Sequence, residues 1–207
     1  MTWQLILASS SPRRKELLSH TKVPFTIKVI PTEEVSSETE PALFALDVAR
    51  QKGEALLNSV ARDKTLVVSA DTVVALDKRI LGKPRDTKEA RDFLQLLSGG
   101  SHHVHTGLCL QVYMNGTWSL LELVETSKVR FNVIPERLLE DYLASGDALD
   151  KAGAYGIQGQ ALTFISSVEG CYSNVVGFPL AKFCQMMQED FLRMTGEQGP
   201  WQNLFCS

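Results

Sequence analysis

The chain lacks most of the signatures by which a function class declares itself. Its four cysteines, Cys109, Cys171, Cys184 and Cys206, form no C-x-x-C pair and no zinc-type cluster. That excludes a zinc ribbon and reads as reduced thiols of a cytoplasmic protein. No apolar run is long enough to span a bilayer, and no basic segment followed by a long apolar stretch opens the sequence. Neither a membrane partner nor a signal peptide is expected. There is no basic excess either: 21 Lys and Arg stand against 24 Asp and Glu, a net charge of -3. A nucleic-acid polymer is therefore not the expected partner. Any anionic ligand must be held by local charge.

What is present is an alternation of strand-like and helix-like segments over 207 residues. Leu5–Ala8 and Phe25–Ile30 read as strands around a helix at Pro12–His20. Glu40–Leu57 reads as a helix capped by Thr39. Leu66–Leu76 is a long apolar run, and Asp86 caps a helix ending near Leu97. Val104–Tyr113 and Trp118–Val133 are strands meeting at Asn115-Gly116, a strong hairpin signal. Pro135–Ala144 and Pro179–Met194 read as helices. Leu162–Val168 and Tyr172–Val176 read as a further hairpin. Hairpins mixed with helices predict an α/β fold with a mixed sheet, flanking helices and a cleft. Residues 1–194 are expected to form a single domain, and 195–207 a loose tail.

Several residues break local rules. In "LILASSSPRRKELL", Ser11 suits an N-cap and Pro12 a first helical position. Arg13 and Arg14 then lie at the positive end of the helix dipole, where each cation is disfavoured by about 0.3–1 kcal/mol if exposed. An anion there would reverse the sign, meeting backbone N–H groups, serine hydroxyls and two guanidinium forks. A solvated basic turn explains the stretch equally well. Lys52 falls on the apolar face formed by Ala45, Val48, Ala49, Ala55 and Leu56. Either its amine snorkels to water or it reaches into a ligand site.

Asp71 stands inside "LVVSADTVVAL", where an unpaired carboxylate is costly. It points to a metal ligand, an ion pair or a base rather than a mere exposed edge. Lys83, between Gly82 and Pro84, is either a turn lysine or aimed at phosphates. Glu33 and Glu34 are a solvated acidic run or include a metal ligand. "DKAGAYGIQG" has glycines at every third position but does not open a helix, so it is no dinucleotide fingerprint. Its glycines permit close approach of a ligand, and Gln158 offers a donor and an acceptor suited to a base edge.

The motifs "LASSSPRRKELL", "ARQKGEAL", "SADTVV", "GKPRD", "DKAGAYGIQG" and "VVGFPL" together resemble the Maf family of nucleoside triphosphate pyrophosphatases, in the family's order, from residue 4 to about 187. The resemblance implies a fold like that of inosine triphosphate pyrophosphatases, commonly a homodimer, with a divalent metal such as Mg²⁺ or Mn²⁺. It implies cleavage between the α- and β-phosphates. Asp71 matches the family's proton acceptor. Arg13, Thr72 and Gln158 match positions that separate substrate branches and agree here with the dTTP/UTP branch. Glu34, Lys52 and Lys83 match other active-site positions. The loop "PTEEVSSE" and the stretch "QGQALTF" depart from the commoner family versions.

On this reading Asp71 and Glu34 hold the metal and Asp71 takes a proton from water. Ser9 and Ser11 orient the phosphates, Arg13, Arg14, Lys52 and Lys83 neutralise them, and Thr72 and Gln158 sort bases. The alternatives are a pyrophosphatase for 7-methyl-GTP or other modified nucleotides, and a nucleotide-binding regulator of cell division.

Overall fold

Three runs rich in β-branched and aliphatic residues set the long axis of the molecule. In the computed structural model, which describes residues 2–60 and 63–206, the strands are β1 (Gln4–Leu7), β2 (Thr26–Ile27), β3 (Thr65–Leu76), β4 (Arg79–Leu81), β5 (Ser101–Met114), β6 (Thr117–Phe131) and β7 (Ile165–Glu169). The three long ones, β3, β5 and β6, are 12, 14 and 15 residues, hence about 40–50 Å each. Asn115 and Gly116 join β5 to β6 with φ of 53° and 81°. Positive φ at both is what a type I′ turn requires and what this dipeptide tolerates.

The sheet order is β2-β1-β3-β5-β6-β7, with β4 also on β3. β1 runs parallel to β2 and β3, and the other pairings are antiparallel. Helices α1 (Pro12–Ser19), α2 (Pro41–Glu54), α3 (Leu57–Val60), α4 (Thr87–Leu97), α5 (Glu136–Ala144), α6 (Tyr172–Val176), α7 (Leu180–Met186) and α8 (Leu192–Thr195) flank it. The elongated mixed α/β sheet expected from the sequence is the one formed.

One detail of register creates the cleft. β5 occupies one edge of β3 along Thr65–Ala75. On the other edge β1 pairs with residues 65–68 and β4 with 74–76. Residues 69–73 of β3 therefore have no strand beside them. The hydrophobic core divides at the same place. Leu66, Val68 and Ala70 pack in one cluster, while Val74 packs in another with Val104, Phe131 and α4 and α5 side chains.

Thr72 falls between the two clusters, and its hydroxyl lies 2.9 Å from that of Thr106. Thr106 donates to the Asn174 carbonyl, and the Asn174 amide donates to Val104 O and Ser127 Oγ. A polar seam thus crosses the sheet between two apolar lobes, each of its donors meeting an acceptor.

Four sequence expectations are corrected. Of Phe25–Ile30 only Thr26–Ile27 pairs as a strand. α2 begins at Pro41 after Glu40, so Thr39 is not its cap. Tyr172–Val176 is a helix rather than the second arm of a hairpin, and Leu162 lies in a 3₁₀ turn at Gln160–Thr163. Here the seam outweighs the β propensity of the valines, since Asn174 reaches Val104 and Ser127 from α6. Finally, of the expected tail 195–207, residues 195–206 are no loose tail, and Ser207 lies outside the described residues. Trp201 and Phe205 are buried in the first lobe, with Trp201 edge-on to Phe183. Trp3 N–H donates to Leu204 O, and Glu197 accepts from Trp3 Nε1 and Lys64. Trp201, Leu204 and Phe205 fill the lobe beside β1 instead of facing water. Trp201→Ala should lower unfolding stability by about 3–5 kcal/mol, read from urea denaturation; a loss below 1 kcal/mol would return the segment to the status of a tail.

His102 was not singled out from the sequence, yet it is buried and bonded to the Tyr155 hydroxyl at 2.7 Å. Burial pushes its imidazole from 6.5 down to about 4, assisted by nearby His103. As pH falls from 6.5 to 4, the unfolded chain binds a proton there that the folded chain refuses, so stability falls across that window. The loss is of order 3 kcal/mol. His102→Gln should show a shallower decline between pH 7 and 4 in denaturant titrations than the unmodified protein.

Candidate active site

The open edge of β3 is the floor of a cleft of about 770 Å³. All ten residues expected from the sequence line it: Ser9, Ser11, Arg13, Arg14, Glu34, Lys52, Asp71, Thr72, Lys83 and Gln158. They come from the β1–α1 junction, the loop before α2, α2 itself, β3, the loop after β4 and the glycine-rich segment. The local fold accounts for each approach.

Asp71 faces α2. Lys52 Nζ lies 2.6 Å from Asp71 Oδ1 and 2.7 Å from Glu34 Oε1. Side-chain exposure of Asp71 is 10% and of Lys52 16%, so this pair is largely removed from water. Lys52 therefore neither snorkels nor stands unpaired on its apolar face. Two glycines bring α2 close enough for this contact. A Cβ on Gly107, the β5 partner of Asp71, would lie 2.5 Å from Ala45 O and Leu46 Cα. A Cβ on Gly53 would overlap the Gln111 side chain, which donates to Arg50 O. Close helix–sheet contact at these points is available only without a side chain. Neither stands out in the sequence; the available signal was a glycine inside a long strand, at Gly107 on the face it shares with His105 and Cys109.

Glu34 is half exposed, and burial alone would raise its pKa. The hydrogen bond and charge of Lys52, with the charges of Lys83 and Arg14, outweigh this and hold it below 4.5. The far oxygen of Asp71, Oδ2, makes no protein hydrogen bond among the described residues.

The two arginines separate cleanly. Arg14 Nε donates to Gly177 O at 2.9 Å, and its other nitrogens reach Ser9 Oγ and Thr72 Oγ1 at 3.3 and 3.2 Å. Burial lowers its pKa against the pull of Asp71 and Glu34, and Arg13 adds to the lowering. Arg14 thus fastens α1, β3 and the end of α6 together. The sequence reading gave it charge alone. Arg13 turns outward, 3.4 Å from Asp150 Oδ2. Ser11 caps α1 through its contact with Arg14 N, and Ser9 Oγ accepts from Ser11 N.

The glycines of "DKAGAYGIQG" serve the protein's own packing more than a ligand's approach. Gly153, at φ 67°, lies against Val74, while Cβ atoms on Gly156 and Gly159 would collide with Lys151 and Asp147. Gln158 and Lys83 border the cleft without hydrogen bonds to protein among the described residues.

His103 and His105 stack with ring centroids 5.9 Å apart and do not join the site. Among the described residues no group of three or more His, Cys, Asp or Glu side chains has the geometry to hold a metal by itself. No helix of the described residues is long and apolar enough to cross a membrane.

Residues 4–190 match the family model described as "Maf-like protein". The chain is 40% identical to a dTTP/UTP pyrophosphatase of Bacillus cytotoxicus, over 90% of this chain and 95% of that one. It is 43% identical to a dTTP/UTP pyrophosphatase of Deinococcus radiodurans, over 89% and 92%. It is 42% identical to one of Anaeromyxobacter sp., over 97% and 94%.

The Lys52 contact makes a direct prediction. In Lys52→Met the Glu34 carboxyl loses its main partner, so its titration midpoint rises. Carboxyl ¹³C NMR should show the Glu34 resonance moving at higher pH; an unchanged midpoint would remove Lys52 as the group that holds it.

Proposed function

The chain belongs to the Maf family, and on that premise we propose that it is a nucleoside triphosphate pyrophosphatase acting on dTTP and UTP. The observation that carries the reading is the meeting of Asp71, Lys52 and Glu34 on the open edge of β3, beside the outward-turned Arg13 and Lys83. A carboxylate, an ammonium and further cations in one cleft suit hydrolysis of a polyphosphate better than binding alone. The relatives named above carry the same activity in their names.

In the proposed reaction water attacks the α-phosphorus. The bond from that phosphorus to the α–β bridging oxygen breaks, and the nucleoside monophosphate and pyrophosphate leave. Asp71, through the oxygen that Lys52 does not occupy, accepts the proton of the attacking water. Lys52 fixes the Asp71 carboxylate by the 2.6 Å contact. Arg13 and Lys83 stabilise charge on the leaving pyrophosphate. Ser9, Ser11 and the first N–H groups of α1 face the phosphate chain. Thr72 and Gln158 discriminate the base, and Arg14 keeps Thr72 in place.

Asp71 and Glu34 also fit a hard divalent cation. Both carboxylates are drawn to the same Lys52 ammonium, which brings two oxygen-donor side chains together on the cleft floor, and oxygen donors suit Mg²⁺ or Mn²⁺. With only two such side chains, phosphate and water oxygens would complete the coordination. When bound, the ion supplies Lewis-acid polarisation of the phosphates. The same reading includes a homodimer, as the family resemblance implies, and a cytoplasmic location, the expectation drawn from the cysteine pattern.

The test is pyrophosphate release across a nucleotide panel, with Mg²⁺ or Mn²⁺ and with chelator. dTTP and UTP should lead, and chelation should abolish release. Asp71→Asn should lower kcat by about 10²–10⁴-fold with the fold retained by circular dichroism. Near-normal turnover in that variant would dismiss Asp71 as the base, and a lead for 7-methyl-GTP would overturn the substrate assignment.

A further inference from the structure

Lys151 has its full set of donors engaged inside the protein. Its Nζ lies 2.7 Å from Asp147 O, 2.7 Å from Asp147 Oδ1 and 2.6 Å from Asp150 Oδ1. An ammonium has three protons, so none is left for a phosphate, although the residue lines the cleft. Its side chain is 11% exposed. Lys151 is thus a strut, unlike Lys83.

What it supports is specific. The stem of Lys151 fills the space where a Cβ on Gly156 would stand, 2.5 Å from Lys151 Cε. The Asp147 carboxylate does the same below Gly159, at 2.8 Å. Gly159 N–H closes a turn onto Gly156 O, and Gln158 lies inside that turn. Asp147 and Lys151 together are the bed on which Gln158 is carried. On its other side Lys151 holds Asp150, whose second oxygen meets Arg13 on α1. The chain Gln158 turn–Lys151–Asp150–Arg13 is continuous.

We propose that Lys151 is a positioning residue that couples the base-reading side chain Gln158 to the phosphate-side cation Arg13. A nucleotide that seats its base against Gln158 then finds Arg13 already aimed, and one that does not disturbs both. This inference rests on the roles given to Arg13 and Gln158 in the proposed function. It goes beyond that reading by making discrimination a joint property of two ends of the cleft.

A double-mutant cycle tests it. Kinetics with dTTP, UTP, dCTP and ATP are measured for Arg13→Ala, Gln158→Ala and the double variant, in the natural chain and in an Asp150→Asn background. The Asp150 side chain is 64% exposed, so this background keeps the fold while weakening the links of Asp150 to both Arg13 and Lys151, which interrupts the chain between α1 and the Gln158 turn. In the natural chain the two effects on kcat/KM should fail to multiply, by about threefold or more. In the Asp150→Asn chain they should multiply.

Lys151→Met should raise KM for dTTP with kcat little changed and flatten the nucleotide ranking, a change that loss of stability alone does not produce. Independent effects in the natural chain, or a coupling that survives Asp150→Asn, would overturn the inference. If neither single variant alters dTTP turnover or ranking, the roles of Arg13 and Gln158 fall, and this inference falls with them. The two failures are therefore distinguishable.

Discussion

A strand edge can be occupied only once along its length. β1 and β4 divide one edge of β3 between them, and the five residues they leave uncovered hold Asp71 and Thr72. Most of the site follows from that gap. Adjacent residues of a strand point to opposite faces, so one short gap presents a carboxylate toward α2 and a hydroxyl toward α1 and α6. A fully paired β3 would bury both beneath neighbours. An aspartate at this place is tolerable because the gap admits partners and water, which a closed sheet would not.

The cations around the gap have different work. Lys52 is committed to Asp71 and Glu34, and Arg14 to Ser9, Thr72 and Gly177. Lys151 is committed to its own loop. Arg13 and Lys83 are the cations most open to an incoming anion. Counting positive residues along the cleft would therefore overstate its attraction for phosphate. The useful field is that of a few charges, and it is graded from a rigid interior to a freer rim.

Sequence rules found the residues that violate them. Asp71 in a strand, Lys52 on an apolar helix face and the arginines at a helix start each stood out, and each borders the cleft. The Asn115-Gly116 turn was readable because its φ requirement is local. The misses are non-local. Gly107 acquires meaning only when α2 lies on β5, and Asn174 only when α6 reaches the seam. The family resemblance set Arg13 apart from Arg14, but Arg14's part as an internal fastener was not legible, since it is made by Thr72 and Gly177, distant in sequence. The C-terminal aromatics looked stray because their partners, Trp3 and Phe183, lie at the other side of the chain or on an earlier helix. The glycine-rich segment carried a correct address and an incomplete reason: its glycines accommodate Val74, Lys151 and Asp147.

The long strands have a mechanical consequence. β3 and β5 run unbroken from one lobe's core into the other's, with β6 paired along the length of β5. A cleft between lobes usually invites the picture of two jaws on a hinge. Here the jaws share their spine. Bending it would shear backbone ladders through both interiors at once, so the floor of the cleft behaves as a stiff beam. Adjustment to a bound molecule is left to the segments above it: the loop through Glu34, the turn at Lys83 and the stretch from Asp147 to Gly159. Asp71 and Thr72 thus stand on the part that cannot flex, while Glu34, Lys83 and Gln158 are carried by the parts that can.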